Sequence, residues 1–502
     1  MIKEPSPQAA QTLLALLHDG RHAECEKAAI NLLERFPQFG QGWKILGVAQ
    51  QMQGHLAQAF RPLLRAAELL PQDSEAQGNL GLALLEADEP VAALRCLQIA
   101  LDLNPADANA WNNMGHGLCR LGRLEEAEAY LRKALALLPE AADFLYNLGS
   151  ILHDQGRMEE AISEYQHALA QAPLFAHAHW SLGMALLQGG DFAQGWKEYE
   201  WRWQLPSFMA LRAHYQGMRW TGEQPVAGKT LLLYAEQGLG DSIQFCRYAT
   251  ALSELGARVI LHVPAALTRL MRSLPGSIEV MDQAQDVPAH DMHCPLMSLP
   301  LAFQNAQVPL PPVQPYLFAD AELVEKWQCR LGPRSLPRVG ICWRGNRGHK
   351  HDYRRSIALD QMLMLADESH ELVCLHEKLS TEETGKLDNH AHCRRFDGEL
   401  SDFADSAALI AQLDLVITVD TAIAHLAGAM GKPTWLLLSA QADWRWMEGR
   451  ADSPWYQDVR MFRQATAGNW LTVIVEIQKQ IQPAFAQLDM EQANLSGISP
   501  PH

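Results

Sequence analysis

The sequence has no excess of positive charge and no closely paired cysteines. It carries 41 Lys and Arg residues against 58 Asp and Glu residues, for a formal net charge of −17. Sequence-independent binding of nucleic acid needs a basic surface, so this charge argues against it. The nine cysteines include no Cys-x-x-Cys pair. They indicate reduced thiols rather than a disulfide framework or a zinc site.

Long hydrophobic runs are also missing. No apolar stretch is long enough to span a bilayer. The first seven residues, Met-Ile-Lys-Glu-Pro-Ser-Pro, lack the apolar region of a signal peptide. We therefore expect a cytoplasmic protein with no membrane span. The hydrophobic share of 48% and the charged share of 20% are ordinary for a globular chain, and 502 residues predict two to four domains.

What the first two hundred residues do contain is a repeat with a period of 34 residues. Prolines mark one phase, at positions 37, 71, 105, 139 and 173. Glycines mark a second, at 20, 54, 122, 156 and 190, with Asp88 in the vacant place. The pattern resembles the tetratricopeptide repeat, in which each unit has two short helices. The resemblance implies an α-solenoid over residues 1–200 with a concave face for a partner.

Three asparagines follow the same spacing. Asn79, Asn113 and Asn147 each precede the Leu-Gly or Met-Gly pair of their unit, a position that should face the groove. A ladder of carboxamides there can hydrogen-bond an extended peptide backbone without reading its sequence. The O-linked N-acetylglucosamine transferases, which this layout resembles, use asparagine ladders in that way. The alternative is that Asn is simply common at this position of the repeat.

Beyond residue 200 the pattern changes to alternating strands and helices. Residues 201–228 predict a linker or docking segment that follows an irregular, aromatic last unit. Short apolar runs then predict strands at 230–234, 258–263, 278–281 and 291–294, and again at 338–343, 371–375, 415–419 and 434–438. The alternation predicts two small parallel sheets with crossover helices, in domains 229–332 and 333–488. Residues 489–502 are expected to form a disordered tail.

Several short motifs in this half carry a family resemblance. They occupy residues 236–248, 342–346, 354–357, 402–407, 419–425, 443–446 and 453–456. In this order they are similar to the heptosyltransferase-like family of inverting, metal-independent glycosyltransferases. The similarity is closer to bacterial proteins that fuse tetratricopeptide repeats to such a domain, a group that includes flagellin glycosyltransferases. The resemblance implies a GT-B module of two Rossmann-like domains, giving an α + α/β fold, with a nucleotide-sugar donor and neither a cofactor nor a metal.

Inverting transfer needs a base that takes the proton of the acceptor hydroxyl. Asp241 lies past a glycine turn after the first predicted strand, where the family carries its catalytic carboxylate. The alternative is that Asp241 merely caps the following helix.

The departing phosphate needs positive or dipolar groups. A loop of the second domain offers four cations, of which one or two are expected to bind phosphate, and the family places a cationic ligand at Arg355. The four are Arg344, Lys350, Arg354 and Arg355. After the apolar run 415–419, Asp420 and Thr421 begin a helix with Ala422, whose amides and dipole attract phosphate. His425, one turn further on, could bind phosphate, brace Asp420 or face the core.

Recognition of the rest of the donor falls on other strand ends. Asn346, Glu377 and Lys378 are expected near the ribose or base. Gln237, Trp444 and Arg445 are possible sugar contacts, although Trp is also good core filler. His376-Glu377-Lys378 and Ala422 depart from the family pattern, which leaves the donor base and the sugar open.

These features predict a glycosyltransferase that moves a sugar onto Ser or Thr hydroxyls of a protein, such as flagellin, held by the repeats. One rival keeps the enzyme but has it glycosylate lipopolysaccharide or another glycan, with the repeats serving assembly. Another rival is a scaffold with a decayed transferase domain. The presence of Asp241, Arg355, Asp420 and His425 argues against decay.

Overall fold

The computed structural model describes residues 5–346, 348 and 352–496. The chain divides into two compact units, one of residues up to Ala185 and one of residues from Leu186.

The first unit is a series of antiparallel helix pairs. Its helices are α1 (Pro7–His18), α2 (His22–Arg35), α3 (Gly40–Met52), α4 (Leu56–Leu69), α5 (Ser74–Glu86), α6 (Pro90–Leu103), α7 (Ala108–Arg120), α8 (Leu124–Leu137), α9 (Ala142–Asp154) and α10 (Met158–Gln171), and α11 (Ala176–Gln188) crosses into the second unit. Successive first helices contact one another, as α5 does with α7 and α7 with α9.

The repeated small residues explain this packing. Gly81 on α5 approaches Leu97 on α6 so closely that a Cβ atom at position 81 would lie 2.6 Å from the Leu97 Cγ atom. Gly54 and its equivalents after each first helix have positive φ, as does Asp88, which stands in for the missing glycine with φ of 61°. Small residues at the helix contacts and left-handed residues at the turns therefore set the 34-residue unit. The predicted helical solenoid is confirmed.

The second unit begins with a parallel sheet. Its elements are α12 (Phe192–Tyr199), a 3-10 turn (Glu200–Gln204), α13 (Pro206–His214), β1 (Met218–Arg219), β2 (Thr230–Tyr234), α14 (Leu239–Phe245), α15 (Arg247–Glu254), β3 (Arg258–Val263), α16 (Ala265–Met271), β4 (Ile278–Asp282), β5 (Met292–Pro295), a 3-10 turn (Leu296–Ser298) and α17 (Leu299–Ala306). In the part of the chain described, five strands pair in the order β1-β5-β2-β3-β4. Residues 201–228, predicted as a linker, thus include a helix and a short edge strand.

A second parallel sheet follows. Its elements are α18 (Ala321–Leu331), β6 (Arg338–Cys342), α19 (Asp352–Arg355), α20 (Leu359–Met362), a 3-10 turn (Leu363–Leu365), β7 (Glu371–Cys374), α21 (Thr381–Asp388), β8 (Cys393–Arg394), α22 (Phe403–Ala411), β9 (Leu415–Val419), α23 (Ala422–Ala429), β10 (Thr434–Leu438), a 3-10 turn (Trp444–Trp446), β11 (Val459–Arg463) and α24 (Trp470–Ser496). The order is β11-β10-β9-β6-β7-β8 within the described residues. All of β6, β9 and β10 is buried, as parallel strands covered on both faces should be. The predicted pair of parallel sheets is confirmed.

A connection joins the two sheets between α17 and α18. Its Tyr316 hydroxyl donates to the Ile243 carbonyl of α14 at 3.0 Å, and its Tyr316 amide donates to the Ala429 carbonyl of α23 at 2.9 Å. The connection is therefore attached to a helix of each half.

The end of the chain differs from its prediction. Helix α24 extends to Ser496, so residues 489–496 of the expected disordered tail are helical, and residues 497–502 lie outside the described residues. Among the helices described, none is long and apolar enough to cross a membrane.

Candidate active site

The two sheets of the second unit enclose a cavity of about 950 Å³. The first sheet contributes the turn 237–241 between β2 and α14, together with Ala266. The second contributes residues that follow the carboxyl ends of β6, β7, β9 and β10. Ligands of open α/β sheets bind at this edge, where strands run into helix starts. A second cavity, of about 880 Å³, lies at the amino ends of β6, β9 and β10 instead, so it is not the candidate site.

A glycine allows the two halves of the cavity to meet. A Cβ atom on Gly240 of α14 would lie 2.7 Å from Cδ2 of His425 on α23. Any side chain at position 240 would push the two helices apart. The glycine turn recognised in the sequence is thus needed for the close approach of α14 to α23.

Asp241 lies on α14 and lines the cavity, with 19% of its side chain exposed. Its Oδ2 atom accepts a hydrogen bond of 2.7 Å from the Gly238 amide, and its Oδ1 atom accepts one from Nη2 of Arg445. Asp241 therefore does hold the start of its helix, as the capping alternative required, but from the third position of the helix. Burial raises the pKa of Asp241, and the Arg445 guanidinium opposes that rise.

A cluster of buried ionic side chains contacts Glu236, the residue before the turn 237–241. The fully buried Arg202 donates to Glu236 Oε1 at 2.8 Å, to Glu200 Oε1 at 2.7 Å and to Ser298 Oγ at 2.6 Å. Burial raises the pKa of Glu236 to about 7, against the pull of Arg202. Gln237, the next residue, lines the cavity and donates to the Tyr199 hydroxyl at 2.8 Å. The aromatic segment that sequence reasoning assigned to the last repeat therefore anchors the turn that carries Asp241.

The junction of β9 and α23 forms the facing wall. Thr421 is the N-cap, since its Oγ1 atom accepts from the Ile423 amide at 3.3 Å. Asp420, Thr421 and Ala422 all line the cavity, as predicted for the helix start. Burial and the nearby Asp443 carboxylate raise the pKa of Asp420 to about 6.

His425 has a partner that sequence reasoning did not foresee. Its Nδ1 atom is 2.8 Å from the Tyr456 hydroxyl, and its ring stacks on Trp446 with centroids 5.3 Å apart. Burial, with the positive field of Arg445, lowers the pKa of His425 well below its ordinary value. His425 is therefore a neutral ring in the cavity wall that is braced by Tyr456.

The cations of the β6 loop divide into two kinds. Arg355 donates to Asp352 Oδ1 at 3.0 Å and to the Asp420 carbonyl at 2.9 Å, so it sits against the helix start. Arg344 also lines the cavity, but Glu383 neutralises it through bonds of 2.7 and 3.1 Å.

The remaining predicted residues are spread more widely. Asn346 lines the cavity and accepts from the Gly348 amide at 2.9 Å. Lys378 is a surface residue, with 86% of its side chain exposed, and among the described residues it is not part of the cavity wall. Trp444 is a core residue, which was the alternative to a sugar contact. It is 5% exposed and packs edge-on against Trp196, with ring centroids 5.3 Å apart. Lys350 lies outside the described residues.

Sequence reasoning missed Asp443, Tyr456 and Glu383. Asp443 lines the cavity and accepts from Arg445 Nη1 at 2.8 Å. Its place just beyond the carboxyl end of β10 could have pointed to it. The partners of Tyr456 and Glu383 are 31 and 39 residues away along the chain. The motif at 453–456 includes Tyr456 but gives it no role, and no motif includes Glu383.

In the first unit, the asparagines lie on successive first helices, α5, α7 and α9. Nδ2 of Asn147 donates to Oδ1 of Asn112 at 2.8 Å, and Nδ2 of Asn112 donates to Oδ1 of Asn113 at 3.2 Å. Within the described part of the chain, this leaves Nδ2 of Asn113 and Oδ1 of Asn147 without a protein hydrogen bond. All three predicted residues, including Asn79, are half-buried.

Two family models match the chain. Residues 79–135, 112–174 and 159–195 match the tetratricopeptide repeat, and residues 281–464 match glycosyltransferase family 9 (heptosyltransferase). The second match includes Arg355, Asp420, His425 and Arg445, whereas Asp241 lies before it. The chain thus joins tetratricopeptide repeats to a glycosyltransferase family 9 domain.

Individual proteins resemble this chain at low sequence identity. Protein FlbA of Caulobacter vibrioides is 26% identical over 313 residues, which is 55% of this chain and 50% of FlbA. The chain therefore spans half of the length of that relative. Among solved structures, the APC/C hetero-tetramer Cut9-Hcn1 matches at 18% identity and a TM-score of 0.37, covering 41% of each chain. TTC0263, a tetratricopeptide repeat protein of Thermus thermophilus, matches at 24% identity and a TM-score of 0.31, covering 36% of this chain and 98% of its own.

Proposed function

Starting from a family 9 glycosyltransferase domain joined to tetratricopeptide repeats, we propose that the chain transfers a sugar from a nucleotide sugar to Ser or Thr hydroxyls of a polypeptide, with inversion. The observation that carries this proposal is the shared cavity, whose lining includes both Asp241 and the residues at the amino end of α23, Asp420 to Ala422. Residues 229–332 would form the acceptor side and residues 333–488 the donor side.

The base step uses Asp241. An ionised carboxylate there takes the proton of the acceptor hydroxyl as its oxygen attacks the anomeric carbon. The bond from that carbon to the donor phosphate breaks, and its electron pair leaves with the phosphate. Attack from the side opposite the leaving group inverts the anomeric centre.

The leaving phosphate is stabilised at the start of α23. In the part of the chain described, the Ile423 amide donates to Thr421 Oγ1 and the Ala424 amide to the Thr421 carbonyl, so the amide left for the phosphate is that of Ala422. The dipole of the helix favours negative charge at this end. Arg355 donates a hydrogen bond to the Asp420 carbonyl, just before the start of α23, and carries a permanent positive charge there. The neutral His425 ring can offer a hydrogen bond without adding charge.

The repeats supply the acceptor site in this proposal. The Asn113 and Asn147 side chains present one donor and one acceptor on neighbouring helices, which matches the N–H and C=O groups of an extended peptide. The resemblance to flagellin glycosyltransferases makes flagellin one candidate polypeptide.

A thermal-shift screen tests the donor site first. The purified chain is heated with ADP, UDP, GDP, dTDP and CMP, and with the sugars that each nucleotide commonly carries. A ligand that binds only the folded state raises the melting temperature, so one nucleotide class should stand out. If no nucleotide or nucleotide sugar raises the melting temperature, the donor site is wrongly assigned.

The base is then tested with Asp241→Asn. We expect this variant to keep the thermal shift produced by the donor and to lose transfer activity by about 10²- to 10⁴-fold, because the amide keeps the shape of the side chain but cannot take a proton. The control is Arg258→Gln, which changes an exposed cation at the start of β3, outside the cavity lining, and should leave both readouts unchanged. Full activity in Asp241→Asn would contradict the assignment of the base.

A further inference from the structure

The Arg445 side chain is buried and is fixed by hydrogen bonds to three different side chains. It is 5% exposed, and each of its three guanidinium nitrogens has a different partner. Nε donates to Gln244 Oε1 at 2.7 Å, Nη1 donates to Asp443 Oδ1 at 2.8 Å, and Nη2 donates to Asp241 Oδ1. The Trp444 ring lies beneath the guanidinium, with its centroid 4.3 Å from Cζ.

This contact joins the two halves of the second unit. Asp241 follows β2 in the first sheet, and Arg445 follows β10 in the second, 204 residues later. The other Asp241 oxygen is held by the Gly238 amide of its own turn. Both carboxylate oxygens therefore have a fixed donor, one from each half.

The charge of Arg445 matters because Asp241 is mostly buried. A buried carboxyl group without a counter-ion favours its neutral form, which cannot take a proton. An arginine stays charged at any working pH, so it favours the ionised form of a carboxyl group that it contacts. The Asp443 carboxylate acts in the opposite sense, since it repels Asp241 and shares the same guanidinium.

Other ionisable groups surround α14. They are His425 and Asp420 at the start of α23, Tyr199 on α12, and Arg247 on α15. His425 is neutral, as described above, and Arg247 is bonded to the Gln244 and Trp455 carbonyls. None of these groups donates to the Asp241 carboxylate; among the side chains described, Arg445 alone does.

We infer that Arg445 is a positioning residue for the proposed base: from the donor half of the cleft it keeps Asp241 ionised and fixed in orientation, and Asp443 weakens that hold by sharing the guanidinium. This inference rests on the proposed function only in treating Asp241 as the base. The sugar contact expected for Arg445 from the sequence stays a prediction, since Arg445 also lines the cavity.

The test is a titration of the Asp241 carboxyl group without any substrate. The full chain is labelled with carbon-13 at the aspartate carboxyl carbon, and the Asp241 signal is identified by its loss in Asp241→Asn. The midpoint of its titration is followed by NMR between pH 4 and 8. Arg445→Gln should move the midpoint up by about one pH unit or more, because a contacting cation lowers a carboxyl pKa by about that much.

Asp443→Asn gives the opposite expectation. It removes the repelling charge and leaves the guanidinium to Asp241, so the midpoint should move down. Arg445→Lys keeps a charge but cannot make three bonds in fixed directions, so its midpoint should fall between those of wild type and Arg445→Gln. The control is Arg450→Gln, which breaks an ion pair with Asp452 and should not move the midpoint.

Opposite shifts in Arg445→Gln and Asp443→Asn support the inference, because a merely structural role would not reverse the sign. Unchanged midpoints, or shifts in one direction for both, would overturn it. If Arg445→Gln does not fold, as judged by circular dichroism, Arg445→Lys and Asp443→Asn still decide the question. Full transfer activity in Asp241→Asn would instead overturn the proposed function and leave this titration result standing.

Discussion

At the residue scale, two arginines after β6 line the cavity, and each is paired with a carboxylate: Arg355 with Asp352, and Arg344 with Glu383. Glu383 also accepts from the Trp343 ring nitrogen at 3.3 Å and from the Ser380 amide at 2.8 Å. Burial alone would raise its pKa, but the bonds from Arg344 and Ser380 outweigh burial and lower the pKa of Glu383 to about 2.

This pair predicts a pH-dependent contribution to stability. The folded pKa of Glu383 lies below its ordinary value, so the pair's stabilisation is complete above about pH 4.5 and is lost as the pH falls towards 2. Glu383→Gln should lower the apparent free energy of unfolding by about 2 kcal/mol at pH 7, and by less at pH 3. Urea titration followed by tryptophan fluorescence at both pH values measures this difference.

Glu382→Gln is the matched control on the same helix. Glu382 is 77% exposed and, among the described residues, pairs with Lys386 alone, so its loss should cost less than about 0.5 kcal/mol. Equal behaviour of the two variants would show that the Arg344 pair does not stabilise the loop.

At the scale of elements, the contact between α14 and α23 sets the geometry of the cavity. Gly240→Ala should destabilise the chain by about 1–3 kcal/mol, because its Cβ would meet the His425 ring. It should also reduce transfer by at least about tenfold, since it moves the turn that carries Asp241. Thermal unfolding and initial rates measure the two effects.

Gly385→Ala serves as the comparison. Gly385 lies inside α21, and a Cβ there would meet nothing within 4 Å. This change should stabilise the chain by about 0.4–1 kcal/mol and leave the rate unchanged. If Gly240→Ala and Gly385→Ala change stability and rate in the same way, then the glycine at position 240 is not required for the close approach of α14 to α23.

Strands could be predicted from the sequence where their side chains are uniformly apolar. Buried parallel strands read as continuous apolar runs, so β2, β6, β9 and β10 could be placed from sequence alone. The short strands β1 and β8 could not, since each has only two residues. Strand β11 was missed because Arg460 and Arg463 interrupt its apolar side chains.

The site was predictable at strand ends and not beyond them. Asp241, Asp420 and Thr421 follow apolar runs, and a shared sheet edge brings such residues together. The pairing of Asp241 with Arg445 depends on how two domains face each other, which no local pattern encodes. The roles of Trp444 and Arg344 also depended on distant partners, Trp196 and Glu383, and came only from the structure.

At the scale of the whole molecule, the repeats and the transferase half have separate tasks in our proposal. The double substitution Asn113→Ala, Asn147→Ala should weaken binding of a polypeptide acceptor by about fivefold or more, because it removes hydrogen bonds to the peptide backbone. The donor-induced thermal shift should stay the same, because the donor cavity lies in the second unit. Fluorescence anisotropy with a labelled acceptor peptide measures the loss.

Asn104→Ala is the control in the same unit. Its side chain is exposed and, within the part of the chain described, its one hydrogen bond is accepted from the Ala106 amide after α6, so acceptor affinity should not change. Unchanged affinity in the double variant would leave the groove without a role in acceptor binding and favour an assembly role for the repeats.

The attachment of the connection between the sheets has a mechanical consequence. Tyr316 is hydrogen-bonded to α14 through its hydroxyl and to α23 through its amide, so one residue links these two helices. Ala429 is the last residue of α23, so Tyr316 couples the two helices at the end of α23 that lies away from Asp420 and Thr421. Loss of the hydroxyl alone, as in Tyr316→Phe, would remove the bond to α14 and keep the backbone bond to α23.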